Sequence, residues 1–142
     1  MSIRHAQAVW EGDLRGGKGT MKLGSGAFEG AYSFSSRFEE GTGTNPEELV
    51  GAAHAGCYSM ALSGNLGKAG FNPTRIFTRA AVTLGKIDDK TRITLTHLET
   101  EAVVPGISEA AFQEIAAATK DGCPISAALA AVNITLTARL VS

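Results

Sequence analysis

Along most of this chain apolar and polar positions alternate in short runs, but from Leu49 to Gly67 the alternation stops. The stretch "LVGAAHAGCYSMALSGNLG" carries no acidic or basic charge. A helix that is apolar on nearly every side has to be covered on nearly every side. Its start is marked by Asn45 as N-cap, Pro46 at the first helical position, and Glu47 and Glu48 in the first turn. Alternatively Thr44 caps and Glu47 completes a capping box. The helix is expected to run to about Lys68 and to stop at Gly70. Its Gly and Ala residues suit the close approach of a second backbone, so it is predicted to be central.

The flanking segments carry the strand period. "HAQAVWEG" and "KGTMKLGSG" are short alternating runs punctuated by glycine, and "AYSFSSRFEE" continues the same alternation. The 17 glycines of the chain fit a turn-rich β section. Beyond the helix, "RIFTRAAVTLGKI" and "RITLTHLETEAVV", separated by "DDKT", predict a hairpin. Ser108 caps another helix with Phe112, Ile115, Ala116 and Thr119 facing inward. After "DGCP" a short helix, "ISAALAA", leads to a last strand, "NITLTARLV". The predicted class is α+β, helices on an antiparallel sheet.

A chain of 142 residues suffices for one domain, 1–142, with a real core. Hydrophobic residues at 44% and charged residues at 19% match a globular composition. Thirteen Lys and Arg against fourteen Asp and Glu leave a net charge of −1 without any basic block. No nucleic-acid or membrane-surface partner is therefore expected. "MSIRHAQAVWEGD" lacks an apolar signal region, and no run is long enough to span a bilayer, so the expected compartment is the cytoplasm. There, Cys57 and Cys123 are expected as thiols rather than as a permanent staple.

Each thiol has a bland reading and a chemical one. Cys57, mid-helix, reads as a small buried hydrophobe. Cys123 precedes Pro124 at a helix start, and helix N-termini stabilise anions, so by dipole alone it is the better nucleophile. His54, three residues before Cys57 on the same face, could chelate a metal with it. Only His5, His97 and Cys123 remain as usual zinc ligands, with no paired motif, so His54 reads better as a hydrogen-bonded helix residue. A nucleophilic Cys57 would need a cation nearby. The candidates are Arg37 in the bend "SSRFEE" and Arg15 in "GDLRGG", each of which also reads as a solvated loop charge. Glu47 likewise reads as a helix-capping residue.

Taken together, "GTNPEELVGAAHAGCYSMAL" and "DGCPIS" resemble the osmotically inducible protein C/organic hydroperoxide resistance (OsmC/Ohr) family of thiol peroxidases. The likeness extends through "AVWEGD", "GKGT", "SSRFEEGTGTNPEEL", "AGFNPT" and "VPGIS". It implies an OsmC-like α+β fold, antiparallel sheets around a long central helix in an intertwined homodimer. It also implies reduction of organic hydroperoxides, and more weakly hydrogen peroxide, by a dithiol, with no metal, flavin or haem. By the resemblance, Cys57 is peroxidatic, Cys123 resolving, and Arg37 and Glu47 are the active-site ion pair. Arg37 stands where the OsmC branch places its arginine; Arg15 is the nearest stand-in for the Ohr arrangement. Gly56 and Tyr58 flank Cys57 where the family more often has Ala and Phe, which bears on pocket shape. The alternative is a non-enzymatic stress-related binding protein with an apolar pocket; a zinc-bound regulator is a further one.

Reach adds a constraint. Glu47 and Cys57 are ten residues apart, about 15 Å along a straight helix. Either the helix bends back, or the glutamate serving Cys57 comes from a second subunit across a two-fold axis.

Overall fold

In the computed structural model, which describes residues 1–142, the first alternating runs form a three-stranded antiparallel meander. Its strands are β1 (Ala6–Glu11), β2 (Lys18–Leu23) and β3 (Glu29–Tyr32). The alternation does not continue as expected through "SFSSRF", which forms a short helix, α1 (Phe34–Phe38). The cause is local. Ser33 Oγ accepts the Ser36 N–H at 3.1 Å, and Ser36 Oγ accepts the Ser33 N–H at 2.8 Å. This reciprocal capping box outweighs the strand period of its neighbours.

The central helix, α2, spans Pro46–Lys68 as its start and stop signals predict. Glu48 N–H donates to Asn45 Oδ1 at 2.8 Å, so Asn45 is the cap. At the other end Phe71 N–H reaches Leu66 O at 2.9 Å and Gly70 N–H reaches Gly67 O at 3.0 Å. With Gly70 at φ +91° this is a Schellman ending, in which glycine takes the left-handed position without a Cβ clash.

The chain divides into two compact units, Met1–Leu49 and Val50–Ser142. The second is built on β4 (Arg75–Ile87), β5 (Lys90–Val103) and β6 (Asn133–Val141). β4 and β5 are the predicted hairpin, turning through Asp88 and Asp89, both at positive φ. β6 runs parallel to β5, from Leu95 opposite Asn133 to Val103 opposite Val141, which corrects the purely antiparallel expectation. The connection explains it. The chain leaves β5 and crosses through α3 (Glu109–Gly122) and α4 (Pro124–Ala128), a crossover long enough to return in the same direction.

The core of this unit gathers Tyr58, Leu62 and Leu66 of α2 with Leu98 and Ala102 of β5, Phe112 and Ala116 of α3, and Cys123. Each large side chain so buried contributes about 1.5–3 kcal/mol. A Cβ on Gly51 would stand 3.3 Å from Val82 Cγ2, so glycine there lets α2 settle close on β4. Within this unit the buried positions of α2 form one stripe: Gly51, His54, Tyr58, Leu62, Leu66. Its other face is uncovered in the single chain, with Ala52, Ala53, Gly56 and Gly64 exposed and Met60 79% exposed. Burial on every side is therefore not met by one chain.

Candidate active site

The sequence candidates fall into two groups, one in each unit. In the first unit, α1 is tied to the start of α2. Ser36 Oγ donates to Thr44 O at 2.7 Å, and Asn45 Nδ2 donates to Ser36 O at 3.0 Å. That clasp sets Arg37 opposite Glu47. The guanidinium donates from Nη2 to Oε1 at 2.8 Å and from Nε to both carboxylate oxygens at 3.3 Å. Such a fork fixes orientation as well as charge. The Glu47 side chain is only 11% exposed, so the carboxylate is held, not solvated. With Asn45 as the cap, the capping-box position considered for Glu47 falls to Glu48, which also accepts from Thr44 Oγ1 at 2.9 Å. Arg15 is placed otherwise, with its guanidinium 4.7 Å from the centre of the Phe34 ring.

In the second unit, α2 presents three side chains to the α3–α4 corner. Tyr58 donates its hydroxyl to Ala116 O at 3.0 Å, and burial, with the Cys123 charge added, pushes its pKa well up. Cys57, half-buried, sits beside fully buried Cys123; both are free thiols. Burial raises the Cys57 pKa above the ordinary thiol value. The backbone N–H of Ile125, in the first turn of α4, opposes that rise, whereas the hydrogen bond and charge of Cys123 add to it. No side-chain cation is among the causes of that shift.

Cys123 caps α4 as its position before Pro124 predicts, with Ser126 N–H donating to its Sγ at 3.3 Å. It is also the C-cap of α3. The field at this residue is thus that of a helix end as well as of a short helix start.

Two further residues belong here: His54, weighed in the sequence as a helix residue, and Ser126, which sequence reasoning did not assign. Ser126 Oγ lies 3.1 Å from Cys123 Sγ and 2.7 Å from His54 Nε2. His54 is fully buried, so the reading of it as a hydrogen-bonded helix residue holds, and its partner is Ser126. No three His, Cys, Asp or Glu side chains gather as a metal centre would need.

A mid-helix thiol thus lies beside a second thiol at a helix start, on an α+β frame. The comparisons with known proteins agree in fold and family. A family model described as OsmC-like protein matches residues 39–137. The chain is 51% identical over 140 residues to Peroxiredoxin OsmC of Escherichia coli (strain K12), covering 98% of this chain and 97% of that protein. The same figures hold for Peroxiredoxin OsmC of Shigella flexneri. Among solved structures, an OsmC-like protein from Mycoplasma pneumoniae superposes with a TM-score of 0.76 at 15% identity, covering 99% of both chains. An organic hydroperoxide resistance protein from Elizabethkingia anophelis gives 0.76 at 21% identity, again over 99% of both. At those identities the structural likeness speaks for the fold alone. The chain belongs to the OsmC-like family.

Proposed function

We propose that residues 1–142 act as one thiol peroxidase domain that reduces organic hydroperoxides, and hydrogen peroxide more weakly, at the expense of a dithiol. The observation that carries this reading is the pair of free thiols, Cys57 beside Cys123, in a chain half identical to two peroxiredoxins. That identity favours an enzyme over a binding protein with an apolar pocket.

The chemistry runs as follows. The Cys57 thiolate attacks the terminal oxygen of ROOH; the O–O bond breaks, the alkoxide takes a proton and leaves as alcohol, and Cys57 keeps the oxygen as sulfenic acid. The Cys123 sulfur then displaces water from Cys57, forming the disulfide, which an external dithiol reduces. Because burial holds Cys57 toward its thiol form, the first step needs a cation aimed at the sulfur. Arg37, oriented by Glu47, is that cation in this proposal, and it also meets charge developing on the leaving alkoxide. The protein works as a homodimer in which Glu47 and Arg37 of one chain serve Cys57 of the other. Action in the cytoplasm completes the proposal; no helix is long and apolar enough to cross a membrane.

The test is turnover of cumene hydroperoxide with a dithiol. Cys57→Ser is expected to abolish it, and Cys123→Ser to give one sulfenate-forming turnover and then stall. Normal turnover by Cys57→Ser, or no peroxide consumption by the native protein, refutes the reading.

A further inference from the structure

Cys123 does not stand alone at the start of α4. Its Sγ–H donates to Ser126 Oγ at 3.1 Å, and Ser126 Oγ is 2.7 Å from His54 Nε2. The Ser126 backbone N–H returns to Cys123 Sγ at 3.3 Å, fixing the sulfur against the hydroxyl. All three residues are buried: Cys123 and His54 completely, Ser126 to within 4%. An imidazole in an apolar core is an expensive choice where only packing is needed. Its other nitrogen, Nδ1, meets no protein hydrogen-bond partner; with the Ser126 hydroxyl donating to Nε2, the neutral ring carries its proton on Nδ1.

We infer that Ser126 and His54 form a proton relay that deprotonates Cys123 as it attacks the oxidised Cys57. The inference rests on the peroxidase reading above and concerns its second step. The Cys123 proton passes to Ser126 Oγ while the Ser126 hydroxyl proton passes to His54 Nε2. The new S–S bond forms as the S–O bond of the Cys57 sulfenic acid breaks, and the departing hydroxide takes up the proton given to His54 and leaves as water. Thiol proton and hydroxide balance, and the oxidant is the organic hydroperoxide already consumed. Ser126 touches the reacting sulfur and is a catalytic residue; His54 acts through it as a positioning residue and proton acceptor.

Burial lowers the His54 pKa from its ordinary value, which keeps the ring neutral and its lone pair available at rest. No charged side chain contributes to that shift. The titratable groups acting around Cys123 are Cys57 and Tyr58. The histidine would remain protonated only briefly, because the leaving hydroxide lies at the neighbouring sulfur.

The experiment is a single turnover of the full chain with stoichiometric cumene hydroperoxide and no reductant, following sulfenic acid formation and then disulfide formation. His54→Gln keeps a hydrogen-bonding group near Ser126 but cannot take the proton; Ser126→Ala cuts the relay in the middle and serves if the first variant fails to fold. In either, sulfenate should appear at the native rate, whereas disulfide formation at neutral pH should slow about a hundredfold. The slowed phase should recover about tenfold per pH unit as solvent hydroxide replaces the relay, while the native phase stays nearly flat. An unchanged second phase, or one slowed without any change in its pH profile, overturns the relay while leaving the peroxidase reading intact. Absence of a sulfenate phase in the native protein overturns both.

Discussion

Glu47 shows how one carboxylate can be read two ways from sequence and only one way in the fold. At a helix start, acidic residues are favoured by the dipole, and Glu47 and Glu48 both qualify. The structure separates them: Glu48 faces Asn45 and Thr44, and Glu47 takes the Arg37 fork. A lysine at position 37 would keep the charge and lose the fork, so the cation would no longer be aimed. Arg37→Lys is expected to slow sulfenate formation about tenfold, the order of one charge-assisted hydrogen bond. Arg15→Lys, whose residue lies over Phe34, should leave that rate unchanged. Rapid-mixing measurement of the first phase decides it; a native rate in Arg37→Lys would remove the arginine from the proposal. The two cysteines stood out in the sequence, and the family resemblance marked Arg37 and Glu47, because all four sit in dense local motifs. The link between His54 and Ser126 did not, because 72 residues separate them and only the crossover through α3 brings them together.

At the scale of elements, signals confined to a few residues were legible. The Asn45 cap, the Ser108 cap, which accepts the Ala111 N–H at 3.2 Å, and the Asp88–Asp89 turn all fall where the sequence placed them. What failed was either very short or not local. α1 is a single capped turn within a run of strand-like residues, so its two serine bonds were hidden by the surrounding period. The direction of β6 depends on the path of the chain and leaves no mark in the alternation of "NITLTARLV", which reads the same either way. The end of α2 offers a clean test of a local signal. Nothing lies within 4 Å of a Cβ built on Gly70, so an alanine there is penalised by backbone strain alone. Gly70→Ala should destabilise the fold by about 1 kcal/mol, and Gly70→Asn by less, because Asn tolerates the left-handed region better. Urea midpoints at constant m-value measure both. Equal stability of Gly70→Ala and the native chain would mean that the Schellman ending does not hold the helix.

For the whole molecule, two observations ask for a second chain. The uncovered face of α2, with Met60 79% exposed among Ala and Gly, leaves a charge-free helix side in water. Such a surface is better covered, and the small residues would let a second helix approach closely. Independently, Glu47 and Cys57 are ten residues apart in the run Pro46–Lys68 that forms α2, a spacing of about 15 Å for an ideal helix. In the proposed homodimer, an antiparallel α2 pair across a two-fold axis would bring one chain's Glu47 to the other's Cys57. Subunit mixing tests it directly. A Cys57→Ser chain keeps Glu47, and a Glu47→Ala chain keeps Cys57, so a heterodimer of the two holds one intact composite site. Random reassortment of equal amounts makes half the dimers mixed, each with one working site of two, and about one quarter of native activity should return. If each site were built within one chain, mixing would restore nothing. Failure to recover activity in heterodimers confirmed by mass, or full activity in a monomer seen by sedimentation, would rule the shared site out.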